Sequence, residues 1–348
     1  MRAVIPQVGI GCLIVCHVGQ GTGLGHLTRS LAIARSLEHD LNGRIALIIC
    51  GEPLRRDDLS RFKHEFVGPD ADLEERIFSY TDFDLAILDL DPRKIPLKLD
   101  QTLGHLRRKG LRLVSIDGLL QYRTQLDLIF IPSLAFQDDD LLTGGAPVVS
   151  GWDCFLLDDQ IPPIAWAPGN KVLVLTGGSD ATNLGQTLPS LLDKSLNQDT
   201  EIEWVTGPFS KRPLIPINSR PKFTEHISPS GLGSLIRDTN YALTIFGVSF
   251  FELIKAGIPT VVFSPYGQKD GGVLEAIANS DIAIVTADER QAVAALKRLM
   301  GDHHKARRMS ESGKVRMSNS GTVRFSGEVA RLFFNRESGC GSGSDTSL

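Results

Sequence analysis

The stretch from Val8 to Leu37 constrains this chain most. Ile10 to Val18 is short, nearly all apolar and rich in Ile, Val and Leu, which suits a strand covered on both faces, as in a parallel sheet. Gly19-Gln20-Gly21-Thr22-Gly23-Leu24-Gly25 follows, with four glycines in seven positions. Such a loop can take positive φ and lets a ligand or another backbone come close. After it, Leu27, Leu31, Ile33, Ala34 and Leu37 recur at roughly helical spacing. A glycine turn that delivers a helix N-terminus suits an anion, usually phosphate. His26 would then be a titratable group held beside that anion. A plain strand-helix joint is the simpler reading of the same residues.

A chain of 348 residues has room for two ordinary domains. Its net charge of -4 argues against a protein built to grip nucleic acid, which usually presents a basic face. Cys12, Cys16, Cys50, Cys154 and Cys340 include no CxxC pair, and reduced core thiols in a cytoplasmic protein are expected. No apolar run reaches the length of a membrane span. A peripheral membrane contact stays open. Arg2 and the apolar run after it faintly imitate a secretion signal, but no small-residue cleavage site follows.

Strand and helix signals then alternate, which points to βαβ units on parallel sheets. Strands are expected at 44–51, 84–90, 111–116 and 127–131, with a helix near 97–109. Residues 53–64 read as a loop or exposed helix, and 66–80 as a short helical pattern. Three prolines within 158–170 mark an interdomain linker. The pattern restarts with a strand at 171–175 and a glycine turn at 176–180. Further strands fall near 201–205, 222–227, 241–245, 260–263 and 282–285. A helix over 183–196 is interrupted or delayed by Pro189, and 288–335 is helical. The expectation is an α/β chain of two Rossmann-like domains whose parallel sheets face across a cleft. They would span 1–157 and 171–335, with the linker at 158–170 and a disordered tail at 336–348. Loops 19–26, 89–93, 117–118, 176–180, 246–249 and 264–270 all lie at carboxyl ends of strands, where ligands bind in such sheets.

The candidates for chemistry follow from those loops. His26 can exchange a proton near neutral pH. Asp89 closes a buried strand, where a carboxylate needs a partner, and it could orient His26 or activate a water. Arg29 and Asp117 join this group, as does Asp91, for which capping the turn at Pro92 is the equal alternative. In the second half, Gly177, Gly178, Ser179, Gly247 and Ser249 could hold a diphosphate with amides and hydroxyls. Glu252, one turn into the next helix, could accept from two vicinal ribose hydroxyls, or simply complement the helix terminus. The chain lacks the Lys-Ser/Thr ending of a P-loop and a GxSxG elbow. His303-His304 lacks matching ligands, so neither a metal nor a cofactor is expected.

The pattern at Gly23, Gly25, His26 and Arg29, with SLAIARSL after it, resembles the UDP-sugar hydrolase of the pseudaminic acid pathway and its spore-coat polysaccharide relatives. Those are in turn similar to MurG-type glycosyltransferases of the GT-B fold. TGGSDATNL at 176–184, including Asn183, is similar to the family's glycine loop, and SIDG at 115–118 to its strand ending in Asp. SGWDCFLLDDQI at 150–161 resembles the family's entry into its linker. GVSFFELIKAGIPTVVF at 247–263 resembles the GT-B nucleotide segment, and Gln268 falls where the family carries a polar loop facing sugar and phosphates. The resemblance implies a GT-B enzyme that binds a UDP-sugar through Glu252 and the glycine loops. His26 would be its catalytic acid/base and Asp89 its acidic strand-end partner. It further implies cleavage of the anomeric C–O bond with water as acceptor and release of UDP. The hydrolases tend to carry a tyrosine two positions after the residue matching Asp89, where this chain has Asp91. The alternatives are a glycosyltransferase with a hydroxyl acceptor and a noncatalytic sugar-nucleotide-binding protein.

Overall fold

The computed structural model describes residues 9–68, 71–80, 82–134, 136, 144–158 and 161–334; the side chains of Gln268 and Lys269 fall outside this description. The expected tail at 336–348 also lies outside the described residues, as do two positions of the expected linker, 159 and 160.

The first sheet is built from β1 (Gly11–His17), β2 (Arg44–Cys50), β3 (Lys63–Val67), β4 (Leu85–Asp89), β5 (Arg112–Ile116), β6 (Leu128–Ile131) and β7 (Val148–Ser150). Its order is β3-β2-β1-β4-β5-β6-β7, and every pairing is parallel. Helices α1 (Gly25–Leu41), α2 (Leu73–Phe78) and α3 (Leu99–Arg108) connect its strands. The second sheet is built from β8 (Lys171–Leu175), β9 (Glu201–Thr206), β10 (Lys222–Ile227), β11 (Tyr241–Ile245), β12 (Thr260–Phe263) and β13 (Ile284–Val285). Its order is β10-β9-β8-β11-β12-β13, again parallel. Helices α4 (Leu188–Ser195), α5 (Gly233–Arg237), α6 (Val248–Ala256), α7 (Gly271–Ala278), α8 (Glu289–Gly301), α9 (His303–Arg316) and α10 (Gly321–Phe334) follow in this half. The strand order reverses at β1/β4 and at β8/β11, so each sheet has one crevice at a switch point. The loops after β1, β4, β8 and β11 carry or lead to most of the candidate residues; Asp117 follows β5 and Gln268 follows β12.

Sequence chemistry explains most element ends. All seven residues of β1 are buried, as its apolar run requires. Helix α1 buries Leu27, Leu31, Ala34 and Leu37 against the sheet and stops at Asn42, which takes the left-handed φ of 50° and donates its N–H to Leu37. Helix α6 stops at Gly257 with φ of 83°. Helix α4 begins only at Leu188, with Pro189 in its first turn, where proline loses no needed donor. Strands β3 and β7 were not expected. They lie at opposite edges of the first sheet, and their partial burial removes the apolar run that marks the other strands. The segment read as loop or exposed helix, 53–64, holds a short 3-10 turn at Asp57–Arg61 and enters β3 at Lys63.

The terminal helix α10 crosses back. Phe325 and Val329 sit in the core of the first sheet, with Phe325 edge-on to Phe130 at 5.1 Å between ring centroids. Ser36 of α1 and Ser326 share a buried hydrogen bond of 2.8 Å. A helix from the expected span 171–335 therefore packs on the first lobe. The four described cysteines are free thiols, and burial pushes Cys50 up to about 12 and Cys154 to about 11. Among the described residues, no helix is long and apolar enough to cross a membrane.

Candidate active site between the two sheets

The glycine loop after β1 folds back on itself. Gly19 and Gly23 form an antiparallel bridge, and Gly19, Gly21 and Gly23 take φ of 128°, 79° and 73°. Only glycine holds such values without strain. The loop is tied to the end of β4: Thr22 donates to Asp91 Oδ2 at 3.1 Å, and Arg93 donates to the Gly21 carbonyl at 3.1 Å. Further along, the loop meets the second lobe. A Cβ placed on Gly178 would lie 3.0 Å from the Leu24 backbone nitrogen, and one on Gly25 would lie 3.4 Å from Val248 Cγ2. The glycines thus let two backbones touch across the cleft.

His26, the second residue of α1, hydrogen-bonds through Nδ1 to Asp89 Oδ1 at 2.6 Å. Arg29, one turn on, donates Nε to Asp89 Oδ2 at 2.7 Å and Nη2 to Oδ1 at 2.5 Å. Its Nη1 reaches Asp117 Oδ2 at 2.8 Å. Asp89 has no solvent exposure. Burial alone would raise its pKa, but Arg29 and His26 overcome that and hold it at about 2. An ionised Asp89 can only accept, so Nδ1 of His26 carries the proton. Arg29 Nη2, 3.1 Å from that nitrogen, is then a close contact rather than a donor to it. In the neutral ring Nε2 keeps a lone pair. That is the arrangement of an oriented general base.

Asp91 has a different place. It accepts from Thr22, from the Arg93 backbone at 3.0 Å and from the Arg93 guanidinium at 2.9 and 2.6 Å, and it caps the turn at Pro92–Lys94. These partners lower its pKa well below the carboxylate range against the cost of burial. His17 accepts from the Asp91 backbone N–H at 2.9 Å, and burial lowers it to about 4, so it stays neutral. Asp91 braces the loop.

A cavity of about 680 Å³ opens between the lobes. The first lobe supplies Gly23 and Gly25; the second supplies Gly177, Gly178, Ser179 and Gly247. Ser249 and Glu252 complete that wall. Neither α1 nor α6 has a side-chain cap, and both N-termini stand at the cavity, so their free amides suit an anion there. Glu252 is 7% exposed. Burial, helped by Asp158, pushes its carboxyl up to about 7 against the opposing pull of Arg56, Lys255 and Arg35.

His26, Arg29, Asp89, Asp91 and Asp117 do not line this cavity, although Gly25 and Thr28 beside His26 do. The strand order explains the separation. The cavity runs from the glycine joint towards the ends of β9 and β10, while Asp89 ends β4 on the other side of β1. Asn183 is exposed, outside the cavity wall, at φ of 56° in the turn before α4; Asp180 beside it accepts from the Leu184 and Gly185 amides at 2.8 Å each. The side chain of Gln268 lies outside the described part. Sequence reasoning missed Thr28, Arg35, Arg56 and Tyr266, which all line the cavity. Thr28 and Arg35 are seven apart on α1, so two turns of one face carried a readable signal.

No protein-family model and no curated protein matches the sequence. Solved structures do match the fold. The Acinetobacter baumannii MurG structure aligns over 92% of this chain and 99% of its own, with a TM-score of 0.57 and 11% identity. Phytolacca americana UGT2, complexed with UDP-2fluoro-glucose and pterostilbene, aligns over 93% and 99%, with 0.61 and 13%. The Streptomyces nogalater glycosyltransferase SnogD aligns over 93% and 100%, with 0.55 and 14%. Two facing parallel Rossmann-like sheets with this order define the GT-B fold, and this chain has it.

Proposed function

We propose that this chain is a GT-B glycosyltransferase that binds a nucleoside-diphosphate sugar, a UDP-sugar, in the interlobe cavity and transfers the sugar to a hydroxyl acceptor. The diphosphate lies at the uncapped heads of α1 and α6, and Glu252 takes the ribose hydroxyls. The sugar extends past the glycine joint towards the end of β4. His26 Nε2 removes the acceptor proton while the acceptor oxygen attacks the anomeric carbon. The bond from that carbon to the diphosphate oxygen breaks, UDP leaves with its charge against the helix amides, and the anomeric centre inverts. Asp89 holds the tautomer and stabilises the imidazolium that forms.

The observation that carries this reading is the short bond from His26 to a fully buried, ionised Asp89 at the head of α1. The fold neighbours add support, because those described above are MurG, a UGT and a named glycosyltransferase. Water in place of the hydroxyl would make the same site a UDP-sugar hydrolase. Incubation with UDP-sugars separates the two: the transferase releases UDP only when a hydroxyl acceptor is added, and prompt release without one identifies the hydrolase. Turnover unchanged in His26→Asn would remove His26 from the chemistry.

A further inference from the structure

The cavity has a second wall from the first lobe that a diphosphate does not need. The chain after β2 contributes Arg56, Asp57, Asp58 and Arg61 to it. Leu59, 2% exposed, and Phe62 anchor this strap in the core. Arg56 is held rigidly: Nε donates to Asp58 Oδ1 at 3.0 Å, Nη2 to Asp58 Oδ2 at 2.7 Å, and Nη1 to Thr28 Oγ1 at 3.1 Å. Arg35 of α1 closes the network, bound to Asp158 at 2.9 Å and near Asp58 at 3.6 Å. Three of the five N–H groups of Arg56 are thus engaged. Among the described residues the other two N–H groups have no partner, and the side chain is 13% exposed and lines the cavity.

On the second lobe, the cavity is also lined by Val205 near the end of β9, Gly207 after it, and Ser230 and Leu232 after β10. Glu252, one turn into α6, is close enough to Arg56, Arg35 and Asp158 to be shifted by all three. With the diphosphate at the helix heads and the ribose on Glu252, the part of the cavity lined by Arg56 is open to the base. This placement of the base rests on the nucleotide-sugar reading above. We propose that Arg56, fixed by Asp58 and Thr28, is a base-contacting specificity residue that the first lobe lends to a nucleotide otherwise held by the second.

The chemistry selects a class of base. A fork already held in place loses little freedom when it meets the edge of a base. The two remaining donors suit a carbonyl oxygen on the base edge. Uracil offers two such oxygens; adenine has none, accepts only through ring nitrogens and sets its amino donor beside N1 and N7, so a fork placed for a carbonyl oxygen meets a donor there. The nucleotide is then gripped from both lobes.

Calorimetric titration of the full chain with UDP, ADP and inorganic pyrophosphate tests this. Wild type binds UDP more tightly than ADP. Arg56→Ala and Arg56→Lys each weaken UDP binding by roughly tenfold or more, narrow the preference over ADP, and leave pyrophosphate affinity within about twofold. Arg56→Lys keeps the charge beside Asp58, and Thr28→Val, which removes one of the holding contacts, gives a milder loss in the same direction, so a folding defect in Arg56→Ala does not decide the matter. A folded Arg56→Lys that binds UDP as wild type does and keeps the same preference overturns the proposal while leaving the nucleotide-sugar reading intact. Wild type that binds neither nucleotide removes that reading, and this one with it.

Discussion

At the residue scale, two buried carboxylates differ because their neighbours differ. Asp89 faces Arg29 and His26 and is held at about 2; Glu252 is buried with Asp158 nearby and is raised to about 7. For Asp89 the lowered value means that its contribution to stability is present above the ordinary carboxylate range and is lost as pH falls through about 2. For Glu252 the sign is opposite. The native state favours the protonated form, so its contribution is present below the unfolded value of 4.5 and is lost as pH rises through about 7. Glu252→Gln should therefore raise the melting temperature relative to wild type at pH 8, by an amount equivalent to at most ~3 kcal/mol, with no gain at pH 4. Melting curves of the two proteins across that range check it, and the same variant should bind UDP less well. The sequence showed His26, Arg29, Asp89 and Asp117 as candidates because each stands at a strand or helix end, and the structure joins them into one hydrogen-bonded group. It gave Asp89 a catalytic role but left Asp91, two positions on, between a functional role and a turn cap. Only the three-dimensional neighbours show that Asp91 is spent on Thr22 and Arg93.

At the scale of elements, buried central strands such as β1, β4 and β8 were legible because burial on both faces demands an apolar run. The edge strands β3 and β7 were not, because half-exposed strands carry mixed residues. Helix α10 was legible as a helix but not as part of the first lobe. The contact of Ser36 with Ser326 joins residues 290 positions apart, and no local pattern encodes it. That packing carries a prediction. Phe325, fully buried against Phe130, should cost about 3–5 kcal/mol when changed to Ala. Urea unfolding would read the loss, and a change below about 1 kcal/mol would mean that α10 does not dock where it is placed.

At the scale of the whole molecule, the two sheets meet through backbone contact at the glycine loops. Both glycine turns were readable as strand-to-helix joints. That they also seat one lobe against the other was not, since the contact of Leu24 with Gly178 involves chains far apart in sequence. The two joint glycines should respond differently to substitution. A methyl on Gly178 meets the backbone of Leu24 at 3.0 Å, whereas one on Gly25 meets only the end of Val248 at 3.4 Å. Gly178→Ala should prise the cleft open and weaken UDP binding by roughly tenfold, about 1.4 kcal/mol, while Gly25→Ala stays close to wild type. Titration calorimetry compares them, and equal affinities would mean that the joint does not control the cavity.

The account depends most on a histidine of one lobe acting on a sugar carried by the other, from outside the cavity that holds the nucleotide. The direct measurement is UDP binding and acceptor-dependent UDP release, taken side by side in wild type and His26→Asn. The expected result is unchanged UDP affinity with turnover lowered by about 10²–10⁴-fold. Turnover equal to wild type, with a UDP-sugar and acceptor that the wild type uses, would contradict it.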